Sequence, residues 1–266
     1  MDGHYIAELF DRAAGTFDTV PFFGPVGVEL VRLSGAQPGD RVLDVGCGRG
    51  ASLFPAADAV GPSGEVVGID LAPAMVAATV AEIARRRLTN ARAYLGDAAA
   101  PTGGPYDLVL AGFLLFFLDD PNAAVRAYAD VLRPGGRLAV SLLAEATDEE
   151  QTLLRAVARA LAPYTPADGV VPGDAPFTER LQSRAALGEL LAGFADVRFS
   201  ETVFELAFSE PGQVWDWLWS AGRRAALERI PPDRLDEARA AVRAIVPGGA
   251  WRLPRRVRFA TAVKDG

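Results

Sequence analysis

The chain has 266 residues, half of them hydrophobic, and a formal net charge of −7. A duplex or tRNA binder needs a basic face for phosphates, so this balance argues against a nucleic-acid substrate and for a small molecule. No apolar run approaches the ~20 residues that span a bilayer. One cysteine, Cys47, excludes an intrachain disulfide, and with Asp2, His4 and Glu8 in place of a basic-then-apolar leader a cytoplasmic address is expected.

Residues 4–14 carry apolar positions at Ile6, Leu9, Phe10 and Ala13, the stripe of a helix. Pro21, Gly24 and Pro25 interrupt it, and residues 27–34 read as a second helix closed by Gly35. Residues 4–23 also hold five aromatics and the chain's one histidine, His4.

Val42-Leu43-Asp44-Val45 reads as a buried strand that runs into Gly46-Cys47-Gly48-Arg49-Gly50 and then a helix over residues 51–60. Glycines at alternate positions allow a sharp turn and close backbone approach to a ligand. The loop also satisfies the dinucleotide pattern G-x-G-x-x-G/A, while a P-loop is excluded because no Gly-Lys-Ser/Thr follows. Cys47 reads as a small filler, since no histidine neighbours it in sequence. Residues 65–70 form a second strand ending in Asp70, at an offset that suits hydrogen bonds to ribose hydroxyls. A helix over residues 73–88, opened by Pro73, leads to a short strand and Asp97. Residues 106–111 give a fourth strand, and Asp119 or Asp120 caps a helix over residues 121–132. Leu132-Arg133-Pro134-Gly135-Gly136 then turns into a fifth strand.

This order of motifs resembles the class I S-adenosylmethionine-dependent methyltransferases. The acid-x-glycine-x-glycine loop, the acids ending the second strand and following the third, the Tyr-Asp fourth strand and the Leu-Arg-Pro-Gly-Gly turn all occur in sequence. Residues 10–18 resemble a leader of the quinone-biosynthesis (ubiquinone/menaquinone-type) branch, in which an aromatic, here Phe17, closes over the cofactor; core packing is the other reading of Phe17. The resemblance implies a Rossmann-like α/β fold: a mostly parallel seven-stranded sheet, helices on both faces, an antiparallel last strand and a helical lid. It implies S-adenosyl-L-methionine as cofactor and no metal. Gly46 and Gly48 would approach its methionine and ribose parts, with Cys47 between them. Asp70 would take the ribose hydroxyls, and Asp97 and the Ala98 N–H the adenine edge. Leu71 and Met75 would pack on the adenine face, with Asp44 bracing the sulfonium end. Ala111 and Phe116, at the end of the fourth strand, would complete the cofactor set.

Beyond Thr147 a helix over residues 148–162 precedes a Pro- and Gly-punctuated loop at 163–176. A helix over 183–191 and a strand over 197–208 follow. An insertion over 211–254, with a tryptophan-bearing helix at 214–228, leads to a last strand at 257–263. One domain with leader 1–38 and lid 211–254 is the expected organisation. Trp215 and Trp219 share a helix face and Trp217 points elsewhere, which suits either core packing or an aromatic substrate wall. Arg252, Arg255, Arg256 and Arg258 suit either a phosphate-binding cluster or a charged edge strand. His4 is the sole candidate general base. The expected activity is O-, N- or C-methylation of a small, partly apolar metabolite, in secondary-metabolite, quinone or isoprenoid biosynthesis. The alternatives are a cyclisation on the same fold and cofactor, or a cofactor-bound regulatory subunit. Oligomeric state is left open.

Overall fold

The computed structural model describes residues 3–19, 21–165, 181–220 and 224–266, with the His4 side chain outside that set. Seven strands form one sheet: β1 Arg41–Val45, β2 Glu65–Asp70, β3 Ala91–Leu95, β4 Tyr106–Gly112, β5 Leu132–Leu143, β6 Ala195–Phe208 and β7 Trp251–Val263. Their spatial order is β3-β2-β1-β4-β5-β7-β6. The first five are parallel; β7 runs antiparallel to both β5 and β6. Parallel neighbours need crossovers, and these are α3 Leu53–Val60, α4 Pro73–Arg86 and α5 Pro121–Val131. The order reverses between β1 and β4, so their carboxyl ends diverge and open a crevice.

Period-2 alternation divides the core. Val42, Val66, Leu108 and Leu110 pack on one face with α2 (Phe23–Ser34) and α3; Leu43, Val67, Val109 and Ala111 pack on the other with α5. All eight are buried. Local chemistry sets the helix starts. Asp120 accepts from the Ala123 N–H at 2.9 Å at the head of α5, and Thr147 accepts from Glu150 N–H at 3.1 Å at the head of α6, Asp148–Leu161. Ser183 caps α7, Arg184–Leu190, in the same way.

Several boundaries differ from the sequence reading. Helix α2 begins at Phe23, ahead of Gly27, because Pro25 falls in a first turn where a missing N–H is harmless. The Pro134-Gly135-Gly136 turn lies inside β5. Tyr106 pairs with Leu132 and Leu108 with Arg137, so the residues between loop out of the ladder. Strand β7 begins at Trp251, inside the segment expected to be lid. Only its later part, from Val257, pairs with β5; residues 251–256 pair with β6 alone, so Pro254 removes no ladder bond there. The inserted helices therefore lie within residues 209–250: α8 Gly212–Trp219, α9 Arg224–Leu227 and α10 Leu235–Ile245. The expected tryptophan helix ends at Trp219. Part of the 163–176 loop lies outside the described residues.

The arginine-bearing strand is also not an edge. Arg258 lies where β7 is flanked by both β5 and β6, whereas Arg252, Arg255 and Arg256 pair with β6 alone; Arg255 and Arg258 are buried. All four arginines are paired with acids: Arg252 with Glu205, Arg255 with Glu150, Arg256 with Glu201, and Arg258 with Glu145 and Glu201. They do not gather into a phosphate site.

Candidate active site

The turn after β1 is made possible by its glycines. Gly46 has φ +65°, and a Cβ on it would lie 2.8 Å from Leu114 Cδ1; Gly48 has φ +49° and faces open space. Two anchors fix this loop. Gly48 N–H donates to Asp70 Oδ2 at 2.8 Å, and the Thr79 hydroxyl donates to the Gly48 carbonyl at 2.7 Å. Asp70 Oδ1 also accepts from Ala72 N–H at 2.9 Å. Burial raises the Asp70 pKa, against the backbone donors that hold its charge. Asp44 is buried outright. Desolvation, then the nearby Asp70 charge, pushes its pKa up to about 8, with the Leu53 N–H acting the other way. Its Oδ2 has no hydrogen-bond partner among the described residues. Burial drives the Cys47 thiol upward too, which disfavours the thiolate a nucleophile requires.

The loop opens on a cavity of about 900 Å³. From the β1 turn come Asp44, Gly46, Cys47 and Gly48; from the end of β2 come Asp70 and Leu71, with Met75 from α4. Asp97 and Ala98 follow β3, and Asp97 accepts from Ala99 N–H at 2.8 Å. Phe116 and Phe17 complete the set. Ala111 does not reach the cavity: it is fully buried in the sheet, on the α5 face, and its neighbour Gly112 lines the cavity instead.

Helix α1 (Gly3–Ala13) and the turn after it roof this space. Asp11 accepts from Ala74 N–H at 2.6 Å near the head of α4, Arg49 donates to the Ala14 carbonyl at 2.8 Å and pairs with Asp18, and Arg12 pairs with Glu228 at 2.9 Å. An aromatic chain continues the roof. Phe10 meets Phe117 edge-on at 5.1 Å, Phe17 stacks on Phe23 at 4.5 Å, and Phe23 meets Phe113 at 5.5 Å. Phe113 itself has φ +52°, a conformation disfavoured for a bulky side chain, and its N–H donates to the Ser141 carbonyl at 2.9 Å.

The remaining wall was not foreseen from sequence. One face of α6 presents Glu150, Gln151, Leu154, Arg155 and Ala158, with Arg255 of β7 against Glu150, and Ser141 of β5 also lines the cavity. Arg255 was marked only as one of four neighbouring arginines, and no local motif marks Ser141 or the α6 residues. The tryptophans are packing. Trp215 and Trp217 are buried and none of the three lines the cavity; Trp217 lies against Phe208 at 6.1 Å and Trp215 against Trp219 at 6.1 Å. Among the described residues no helix is long and apolar enough to cross a membrane.

Known proteins share this arrangement. Residues 42–136 match the family model described as a methyltransferase domain. The chain is 39% identical to nocamycin O-methyltransferase of Saccharothrix syringae over 242 residues, covering 85% of each chain. It is 45% identical over 139 residues to aklanonic acid methyltransferase of Streptomyces sp. strain C5, covering 50% of this chain and 63% of that one. The fold is similar to that of phosphoethanolamine N-methyltransferase 2 of Haemonchus contortus in complex with S-adenosyl-L-methionine, with a TM-score of 0.58 at 14% identity over 96% of this chain and 57% of that one. The glycine loop, the acids that end β2 and follow β3, and a near full-length relative agree, and the chain belongs to the S-adenosyl-L-methionine-dependent methyltransferases.

Proposed function

We propose that this methyltransferase alkylates an oxygen, foremost a carboxylate oxygen, of a small and partly apolar biosynthetic metabolite. The observation that carries the reading is a cavity of about 900 Å³ shared by the β1 loop, the phenylalanine roof and the polar wall of α6 and β7. That volume lies toward the top of the ~300–1,000 Å³ usual for ligand sites, which gives room for a cofactor and a modest acceptor together. The acid named in the aklanonic acid methyltransferase supports a carboxylate acceptor.

Within that cavity the proposed cofactor contacts are backbone approach at Gly46 and Gly48 beside Cys47, ribose hydroxyls on Asp70, and the adenine edge on Asp97 and the Ala98 N–H. Leu71, Met75 and Phe116 supply apolar walls, Phe17 closes the roof, and Asp44 faces the sulfonium end. Residues 1–38 and the inserted helices are read as leader and lid of one domain; α9 contributes Ala225 and Ala226 to the cavity wall. A carboxylate is ionised at neutral pH, so the reaction requires no general base, and His4 needs no catalytic role. The acceptor oxygen attacks the methyl carbon as the carbon–sulfur bond breaks. The bonding pair stays on sulfur, giving S-adenosylhomocysteine and a methyl ester. Holding the two in near-attack geometry accounts for up to ~7–11 kcal/mol of the barrier. A cytoplasmic protein acting on a small molecule, with no nucleic-acid partner, fits the net charge of −7.

The test is a panel of aromatic carboxylic acids, phenols and amines incubated with protein and S-adenosyl-L-methionine. S-adenosylhomocysteine should form with acids, and the product should be a methyl ester by NMR. Turnover of phenols or amines with no turnover of any acid would overturn the carboxylate assignment.

A further inference from the structure

The charges lining the cavity are divided. The carboxyl ends of β1, β2 and the segment after β3 bring Asp44, Asp70 and Asp97, which suit a cofactor with a cationic sulfonium. The opposite wall brings Arg255 and Arg155 together with Glu150. Arg255 Nη2 lies 2.7 Å from Glu150 Oε1, with both side chains about 95% withdrawn from solvent, and its guanidinium lies 5.2 Å from the Phe22 ring centroid. Glu150 therefore engages one end of the fork. Arg255 Nε is buried with no hydrogen-bond partner among the described residues. Buried donors are nearly always satisfied, so an unpaired donor on a cavity-lining arginine points to a ligand that completes it. Arg155, an exposed cavity-lining residue, has no ion-pair partner among the described residues.

We propose that Arg255, positioned by Glu150, binds the anionic oxygen group of the acceptor and sets the enzyme's preference for acids. This rests on the carboxylate reading above and names the residues that enforce it. A guanidinium suits the task because Glu150 is met through Nη2, and the planar group keeps further donors for a second carboxylate. Lysine, a point charge, cannot divide its donors in that fixed plane. Arg155 adds long-range attraction for an anion entering the cavity.

The experiment measures binding of 2-naphthoate and of its neutral isostere 2-naphthamide to the full chain loaded with S-adenosylhomocysteine, by calorimetry. The wild type should prefer the acid by tenfold or more, and Arg255→Lys should reduce that preference several-fold. Arg255→Met alone leaves Glu150 buried without its counter-ion and can unfold the chain. The double variant Arg255→Met with Glu150→Met removes both charges and keeps the volume. Its expected result is unchanged S-adenosylhomocysteine affinity with no preference for the acid. Equal affinity of the two probes for the wild type, or an acid preference intact in the double variant, overturns the proposal. Acid discrimination that depends on Arg255 in an enzyme found to methylate only phenols would leave this subsite standing and overturn the methyl-ester reading alone.

Discussion

In the proposed cofactor site Asp70 would do two jobs through one carboxylate. Its oxygens hold the Gly48 and Ala72 amides, yet an ionised carboxylate offers about four acceptor sites, so ribose hydroxyls can add without displacing either. Asp70→Ala should weaken S-adenosyl-L-methionine binding by about 2–3 kcal/mol, since hydrogen bonds to a charged group are lost. Calorimetry returning wild-type affinity in a folded variant would remove Asp70 from the ribose. Thr79 has a quieter part, tying the loop from behind through the Gly48 carbonyl. Thr79→Val keeps the shape and deletes that bond, so urea unfolding should show about 1 kcal/mol less stability. An unchanged midpoint would mean the loop holds itself.

At the scale of elements, the roof and the inserted helices make opposite demands. Helix α1 is held by the Asp11 contact with α4 and the Arg12–Glu228 pair, and its phenylalanines interlock with those after β4. If this roof closes on the cofactor, amide exchange over residues 5–19 slows on adding S-adenosylhomocysteine while residues 138–142 of β5 change little. Equal protection with and without ligand would make the leader plain packing. Phe17→Ala should cost about 1–3 kcal/mol of cofactor affinity, the scale of a buried aromatic ring. For the insertion, residues 209–250 are the piece to replace by a short turn. Cutting to residue 254 would remove the start of β7 and its pairing with β6. The shortened chain should retain cofactor binding better than turnover, because the β1 loop and the acids after β2 and β3 all precede residue 144. A folded variant that loses cofactor affinity altogether would place α8–α10 in the cofactor site.

For the whole molecule, the buried Asp44 couples folding, ligand and pH. Its carboxyl keeps a proton up to about pH 8 in the folded chain but releases it near pH 4 when unfolded. Between those values the folded state binds more protons, so this group's contribution to stability is full below about pH 4. It is lost as pH rises through about 8. Asp44→Asn should flatten that part of the stability profile of the ligand-free protein. A sulfonium cation reverses the preference by favouring the ionised carboxylate. S-adenosyl-L-methionine affinity should therefore rise as pH approaches 8, while that of neutral-sulfur S-adenosylhomocysteine should not follow. Parallel pH profiles for the two ligands would show that Asp44 does not sense the sulfonium.

The sequence alone determined β1, β2 and β4, because each is a short apolar run stopped by glycine, acid or turn chemistry within a few residues; β3, with Arg92 inside it, was marked chiefly by the acid that follows. It determined the β1 glycine loop and the acids ending β2 and following β3 for the same reason: their meaning lies in local spacing. Where pairing decided the outcome, local reading failed. Pro254 looked like a terminator, but β7 runs through it because only β6 pairs there. Four arginines close in sequence looked like one cluster, but strand alternation turned Arg255 to the face opposite the other three, where it pairs with Glu150, while Arg256 and Arg258 share Glu201. Ala111 and Gly112 differ by one position, and the pleat put only the second in the cavity. The wall of Ser141, Glu150 and Arg255 joins three elements distant along the chain, so its chemistry exists only after β5, α6 and β7 pack. Local spacing set the glycine-loop half of the cavity, and long-range packing alone set the half lined by Glu150 and Arg255.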